Sequence, residues 1–289
     1  MLTYELAVLL ICILGAAITL FAAVKSKLGV RSGAILCICA LTCCTVCARG
    51  FYILVCDLTG PGFFGDVFPL EPYFYAFGGG VLGYVLALWL TALLSRRTLC
   101  ETSAVFVPTG LIIAAVLRMA EALSDFGWGD MVEWSLLERY PFAIQNMYGE
   151  WCAAVFNLEA LAALGVMALV LRRRDHALGL ALIWWAAAQI FCESLRIESI
   201  QWGFVRVQQL LSAIIIAVVM ILHCRRAGKK QLLHSWIGFV LCVGLVIFLE
   251  YAIDKMPWPT FLNYIAMAAV VGWMGLCAQR LLMAKKVAA

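Results

Sequence analysis

The sequence predicts an all-α, polytopic integral membrane protein of about nine transmembrane helices, and three observations point to it. Of its 289 residues, 65% are hydrophobic and 13% charged, against about half and a quarter in an ordinary soluble domain. The apolar residues gather in nine runs near the ~20 residues that a helix needs to cross a bilayer. The loops between the runs alternate in charge sign. This composition excludes a soluble enzyme, a disordered chain, collagen and a coiled coil.

The runs are Leu2–Val24, Ser32–Cys56, Tyr73–Leu94, Ser103–Leu123, Trp151–Leu171, Ala177–Leu195, Phe204–Leu222, Trp236–Tyr251 and Phe261–Leu282. The first is expected to remain as an anchor: Met1–Glu5 lacks the basic stretch of a cleavable signal, and the run is too long for one. The eighth is the shortest and ends at Glu250. Lys25, Lys27 and Arg31 follow the first run, Arg96 and Arg97 the third, and Arg172, Arg173 and Arg174 the fifth. Arg225, Arg226, Lys229 and Lys230 follow the seventh, and Arg280, Lys285 and Lys286 close the chain. These loops hold 15 of the 21 basic residues, with Glu101 and Asp175 beside them. Asp57, Asp66, Glu71, Asp130, Glu133, Glu138 and Asp254 lie on the other side. The positive-inside rule then places the N-terminus outside and the C-terminus inside, as nine crossings require.

Thirteen cysteines raise the question of a metal or redox site. Cys37, Cys39, Cys43, Cys44 and Cys47 crowd the second run with no histidine near them, so they read as small apolar packing residues. No metal or cofactor is expected. Cys56 lies near the outer surface with no evident partner. His176, His223 and His234 fall at the basic, inner face. The outer loop from Ser124 to Gly149 carries Trp128, Trp134, Tyr140, Phe142 and Tyr148, as an interfacial aromatic belt or an amphipathic element would. The loop Thr59–Pro72 has the same character. Any site is therefore expected within the membrane part.

Ionisable residues at membrane depth are costly and mark functional sites. Arg49 lies toward the outer end of the second run, and Glu159 near mid-depth in the fifth. Arg118, Glu121 and Asp125 share one face of the fourth at i, i+3 and i+7. Gln189, Glu193 and Arg196 follow the same logic on the sixth, and Arg206 opens the seventh beside Gln208 and Gln209. Arg49, Arg118, Arg196 and Arg206 nearly balance Glu121, Asp125, Glu159 and Glu193. Such a set either pairs to lock helices together or lines a wet cavity. Arginines at headgroup depth suit a phosphate, whose oxygens their planar fork binds two at a time. The residues thus suggest an outer-leaflet pocket for an anionic phospholipid, and nothing suggests a nucleic-acid partner. Gly78, Gly79, Gly80 and Gly83 open the third run, either for close helix packing or as backbone donors to a headgroup.

Several segments together resemble the bacterial prolipoprotein diacylglyceryl transferase family. Phe77–Gly83 resembles its His-Gly-Gly-Leu segment, and Arg118–Gly129 its Arg-centred signature ending in Trp-Gly. Gln189–Arg196 resembles its Arg-x-x-x-Glu-x-x-Arg stretch, and Gln208–Ser212 its Gly-Gln-x-x-Ser element. Arg49-Gly-Phe-Tyr resembles its second-helix arginine segment. The likeness covers residues 1–226 as a seven-helix domain and leaves 227–289 as an additional two-helix hairpin. It implies transfer of the diacylglyceryl group of phosphatidylglycerol to a lipobox cysteine of a prolipoprotein signal peptide, in the bacterial cytoplasmic membrane. The candidate catalytic residues are Arg118, Glu193 and Arg196, which match the family's motifs, and Glu121, which departs from them and with Asp125 or Glu193 is left to serve as base. The candidate substrate-binding residues are Arg49, Gly79, Gly80, Gln209 and Ser212, which match the family's motifs, with Gln189 and Arg206 from the reading of the polar residues at membrane depth. Two departures stand out: Gly78 takes the place of the family histidine, and Gln189 that of an arginine. A non-catalytic lipid-binding or scaffold protein on the same fold is the competing expectation. A lipid transporter finds less support, with no inverted repeat or broken helix pair.

Overall fold

Nine α-helices occur among the described residues: α1 (Tyr4–Lys25), α2 (Val30–Cys56), α3 (Phe77–Leu94), α4 (Leu99–Ala120), α5 (Val155–Arg172), α6 (Ala177–Leu195), α7 (Val207–His223), α8 (Lys229–Lys255) and α9 (Thr260–Leu282). The computed structural model describes residues 3–26, 28–56, 75–124, 127–132, 135–146, 148–197, 199, 201–202, 205–256 and 258–284. At residues 56, 202, 205, 226 and 254 it describes the main chain only. Asp57, Asp66, Glu71, the loop Thr59–Pro72, Asp125, Phe126, Glu133, Trp134, Lys27, Lys285, Lys286 and the side chains of Cys56 and Asp254 thus lie outside the described residues.

Eight of these helices are long and apolar enough to cross a membrane, and α7, with 17 residues, is the shorter one. Large apolar side chains point outward along them, such as Leu9, Leu10, Ile13 and Leu14 on α1 and Leu210, Ile214 and Val218 on α7. That is the surface of a protein whose solvent is lipid.

Three boundaries differ from the sequence expectation. The eighth run is not the shortest: α8 begins at Lys229 and has 27 residues, so Glu250 sits inside a helix. Polar residues such as Lys229, Lys230 and Gln231 are good helix formers, so the helix starts before its apolar part does. Trp151–Ala153 is not the start of α5 but strand β2, paired antiparallel with β1 (Ala143–Gln145). A second small pair joins β3 (Gln201–Trp202) to β4 (Val205–Arg206). Finally, α4 ends at Ala120 and tightens into a 3₁₀ turn at Glu121–Leu123, across which Arg118 and Glu121 still pair at the expected i, i+3 spacing.

Packing groups the residues into two compact units. The first, residues 1–178 and 196–200, contains α1 to α5. Thr98 starts α4 with a reciprocal cap, its hydroxyl accepting from the Glu101 N–H while the Glu101 carboxylate accepts from the Thr98 N–H. Pro108 lies inside α4. Beside it, the Phe106 carbonyl accepts from Tyr84 of α3 and from Thr109, both at 2.7 Å. Gly110 makes room for that tyrosine, since a Cβ there would lie 2.5 Å from its ring.

Gly79 and Gly83, one turn apart on α3, face Cys43, Cys44, Cys47 and Ala48 of α2. The two glycines therefore let α3 approach the α2 backbone closely, as small residues do in membranes. In the second unit, residues 179–195 and 201–289, α8 pairs with α9, and α7 also packs on α9. Trp184 of α6 donates to Gln279 of α9 at 2.6 Å, over Gly275.

A Cβ at Gly79 would stand 2.5 Å from the Cys47 carbonyl oxygen and 2.9 Å from the Ala48 Cα. These atoms are backbone and cannot swing aside. Gly79→Val is expected to lower the stability of the detergent-solubilised protein by about 1–3 kcal/mol or more. An unchanged thermal-unfolding midpoint would refute the close α2–α3 contact.

Candidate functional site

The first unit buries four charged side chains in mutual contact. Arg118 comes from the last turn of α4, Glu121 from the 3₁₀ turn after it, Glu159 from α5, and Arg196 from the residue after α6. Arg118 Nη1 lies 2.5 Å from Glu121 Oε1, and Arg118 Nε lies 2.8 Å from Glu159 Oε2, out of hydrogen-bond alignment. Arg196 Nη2 donates to Glu121 Oε2 at 2.7 Å and to Glu159 Oε2 at 2.8 Å. Each carboxylate thus bridges both arginines. Two positive and two negative charges cancel, as burial at 2%, 8%, 1% and 5% exposure for Arg118, Glu121, Glu159 and Arg196 demands.

Two uncharged residues border this quartet. The Phe77 ring, at the first residue of α3, lies 3.7 Å from the Arg118 guanidinium, a close cation–π contact. Gly127 has φ +82°, a left-handed conformation suited to glycine. A Cβ there would also meet Glu121 Oε2 at 2.5 Å and Arg196 Nη2 at 3.2 Å.

Arg196 is held through its main chain. It forms an antiparallel bridge with Gly129, and the Ile197 N–H donates to the Trp128 carbonyl at 3.2 Å. The same outer segment pairs Met131 with Cys152 of β2, and Gly129 N–H donates to the Ala153 carbonyl at 2.8 Å. Asn157 of α5 donates to the Pro141 carbonyl at 2.9 Å and ties this hairpin to the helix that carries Glu159. The outer loop read from sequence as an aromatic belt therefore includes a β-hairpin that fastens Arg196. Within it the Cys152 thiol is pushed up in pKa, first by burial and then by the Glu150 and Asp130 carboxylates, against the pull of the Asn146 amide.

Arg49 is buried, with its guanidinium 5.5 Å from the Tyr52 ring. It also pulls down the Tyr75 hydroxyl, which burial on balance raises. Gly79 is taken up by packing on α2, and Gly80 lies 3.9 Å from the Ala48 side chain if given a Cβ.

In the second unit, Gln189, Glu193, Gln209 and Ser212 are all buried. Arg206 Nη1 donates to the Glu193 main-chain carbonyl at 2.6 Å. Gln209 Nε2 reaches the Ile190 carbonyl at 3.1 Å and Ser194 Oγ at 2.9 Å. Glu250 of α8 joins this second group, 2.5 Å from Gln209 Nε2 and 3.4 Å from Arg206 Nε.

Sequence reasoning missed Ser194, Glu250, Gly127 and Phe77 as parts of these clusters. Glu250 carried a signal, as an acid at the end of an otherwise apolar run. The Phe77 contact could not be read from a pattern. Asp125 lies outside the described residues. Among them, no group of three or more His, Cys, Asp or Glu could hold a metal ion.

Buried ionic clusters within a set of membrane-spanning helices define a polytopic helical membrane protein with polar sites at membrane depth. The family model described as prolipoprotein diacylglyceryl transferase matches residues 1–225, and the chain belongs to that family. Similar proteins include the phosphatidylglycerol–prolipoprotein diacylglyceryl transferase of Bacillus cytotoxicus, 26% identical over 169 residues, 54% of this chain and 63% of the relative. The protein of the same name from Listeria monocytogenes serotype 4b is 28% identical over 152 residues, 48% of this chain and 54% of the relative. That of Bacillus mycoides is 27% identical over 169 residues, 54% and 63% respectively. Each of these matches spans less than two thirds of the relative's own length. The α8–α9 hairpin lies beyond the matched residues.

Removing one carboxylate from the quartet leaves two buried cations facing one anion. Glu159→Gln is expected to cost about 3–5 kcal/mol. The double variant with Arg196→Gln restores neutrality and should recover part of that loss. Thermal unfolding of the four proteins in detergent checks this, and strictly additive losses would refute a shared ionic cluster.

Proposed function

We infer that the chain transfers the diacylglyceryl group of phosphatidylglycerol to the lipobox cysteine of a prolipoprotein. The reaction is placed at the outer leaflet of the bacterial cytoplasmic membrane. A bond forms between the cysteine sulfur and the glyceryl carbon. The bond from that carbon to the phosphate oxygen breaks, and glycerol phosphate leaves with the electron pair. The reaction needs a base for the thiol proton and cations for the leaving phosphate.

The observation that carries this reading is Arg118 within the family match. Arg118 is 2% exposed, and its Nη2 has no hydrogen-bond partner among the described residues. That donor suits a phosphate oxygen at membrane depth. Position suggests the base. Glu121 takes the proton of the acceptor thiol as the sulfur attacks, and the negative charge passes to the leaving glycerol phosphate. Glu121 is the more exposed of the two carboxylates, with a side chain 10% accessible against 1% for Glu159. It also sits on a tight turn rather than in the body of a helix. Glu193, Gln189, Gln209, Ser212, Arg49 and Arg206 remain proposed on the family resemblance.

The competing reading is a non-catalytic binder of anionic lipid. It is favoured by Gly78 in place of the family histidine and by the ion pairs that already occupy both arginines.

The test uses vesicles with phosphatidylglycerol labelled in its acyl chains and a lipobox peptide. Wild-type protein should move the label to the peptide, and Arg118→Ala should slow it by about 10²–10³-fold or more. Glu121→Gln should slow transfer while lipid still binds. No transfer by the wild-type protein would overturn the enzymatic reading in favour of the binder.

A further inference from the structure

Ser194, Gln209 and Arg206 converge on one carboxylate. Ser194 Oγ and Gln209 Nε2 both bond to Glu250 Oε1, the latter at 2.5 Å, and Arg206 Nε lies 3.4 Å from Oε2. The three donors come from α6, α7 and the residue that caps α7. An amide, a hydroxyl and a guanidinium directed at a single acceptor-only group form the chemistry of an anion site.

Two of these donors also have partners other than Glu250. Gln209 is tied to α6 through the Ile190 carbonyl at 3.1 Å and Ser194 Oγ at 2.9 Å. Arg206 is tied through the Glu193 carbonyl at 2.6 Å. Ser194 is 3% exposed and Gln209 8%, while the side chains of Arg206 and Glu250 are each 14% accessible. The ion pair is thus the part of the cluster that an outside group can reach. All the donors lie within the matched residues 1–225, and the acceptor lies beyond them on α8.

We propose that Ser194, Gln209 and Arg206 form an anion site whose occupant in this chain is the Glu250 carboxylate, and that a phosphate enters it only when Glu250 withdraws. Carboxylate and phosphate oxygens accept from the same donors, so α8 carries a built-in competitor for a phosphate ligand. Two sources offer that chemistry, the headgroup of an anionic lipid and a free phosphate. The inference rests on the reading of Arg206 and Gln209 as lipid-binding residues, and its test reads occupancy alone, so that a failure of transfer and a failure of the site are told apart.

The experiment compares wild-type full-length protein, Glu250→Gln, and Glu250→Gln with Arg206→Gln. Native mass spectrometry in detergent counts retained phosphatidylglycerol against phosphatidylcholine, with no acceptor peptide present. A parallel arm follows thermal unfolding with added inorganic phosphate. Glu250→Gln is expected to retain phosphatidylglycerol at about tenfold lower lipid concentration than wild type, the worth of one charge-assisted hydrogen bond. The added Arg206→Gln should abolish the gain. Lipid retention identifies a headgroup as the ligand. Stabilisation by inorganic phosphate without lipid retention identifies a soluble phosphate. Unchanged or weaker binding in both arms overturns the proposal and leaves Glu250 as a helix-locking counter-ion. Should Glu250→Gln not fold, Glu250→Asp withdraws the charge by one methylene and carries the same test. It should bind more tightly than wild type, and equal or weaker binding overturns the proposal. A protein inactive in transfer still gives a result in every arm.

Discussion

Four charges that cannot be left alone in a low-dielectric interior set the terms for much of the first unit. Isolated, each would cost several kcal/mol to bury. Shared between two arginines and two glutamates, the cost is offset only if all four heads meet within hydrogen-bond distance. That requirement reaches far along the sequence. It fixes where α4 stops, because Glu121 must turn back on Arg118. It fixes the rotation of α5, because Glu159 must face inward. It also holds the exit from α6, where the Arg196 main chain is paired to the outer segment at Gly129.

Uncharged packing supports this arrangement from the other side. Phe77 lies under Arg118 because α3 begins there, and the place of α3 against α2 follows from Gly79 and Gly83. The glycines have no evident chemistry, but they let two backbones approach until the first turn of α3 meets the end of α4. A cluster of formal charges thus rests on contacts between some of the smallest side chains in the chain.

Much of this was legible in the sequence. The helices follow from apolar run length, which bilayer thickness dictates. The list of buried ionisable groups follows from their cost in lipid, and Arg118, Glu121, Glu159 and Arg196 were all on it. The partners were not legible. The spacing of Glu193 and Arg196 suggests an intrahelical pair, but α6 ends at Leu195, and the Arg196 guanidinium turns to Glu121 and Glu159 instead. Pairing across dozens of residues depends on helix rotation, which periodicity leaves open when helices are apolar on every face. Gly127 was passed over because its demand arises only once Glu121 and Arg196 have met. The extent of α8 was misjudged because hydropathy finds the apolar core of a helix, whereas its ends are set by propensity and caps.

The short seventh helix has a consequence for the lipid around it. At about 1.5 Å per residue, the 17 residues of α7 span roughly 26 Å, against a hydrocarbon layer of about 30 Å. Its exposed stripe of Leu210, Ile214, Val218 and Leu222 must still be matched by acyl chains. A span of that length asks the bilayer beside it to thin by a few ångströms or the helix to be flanked by polar anchors. Arg206, where the helix begins, is such an anchor. Membrane thickness thereby becomes a variable of this protein, and lipids of different chain length should alter how readily a headgroup reaches that end of α7.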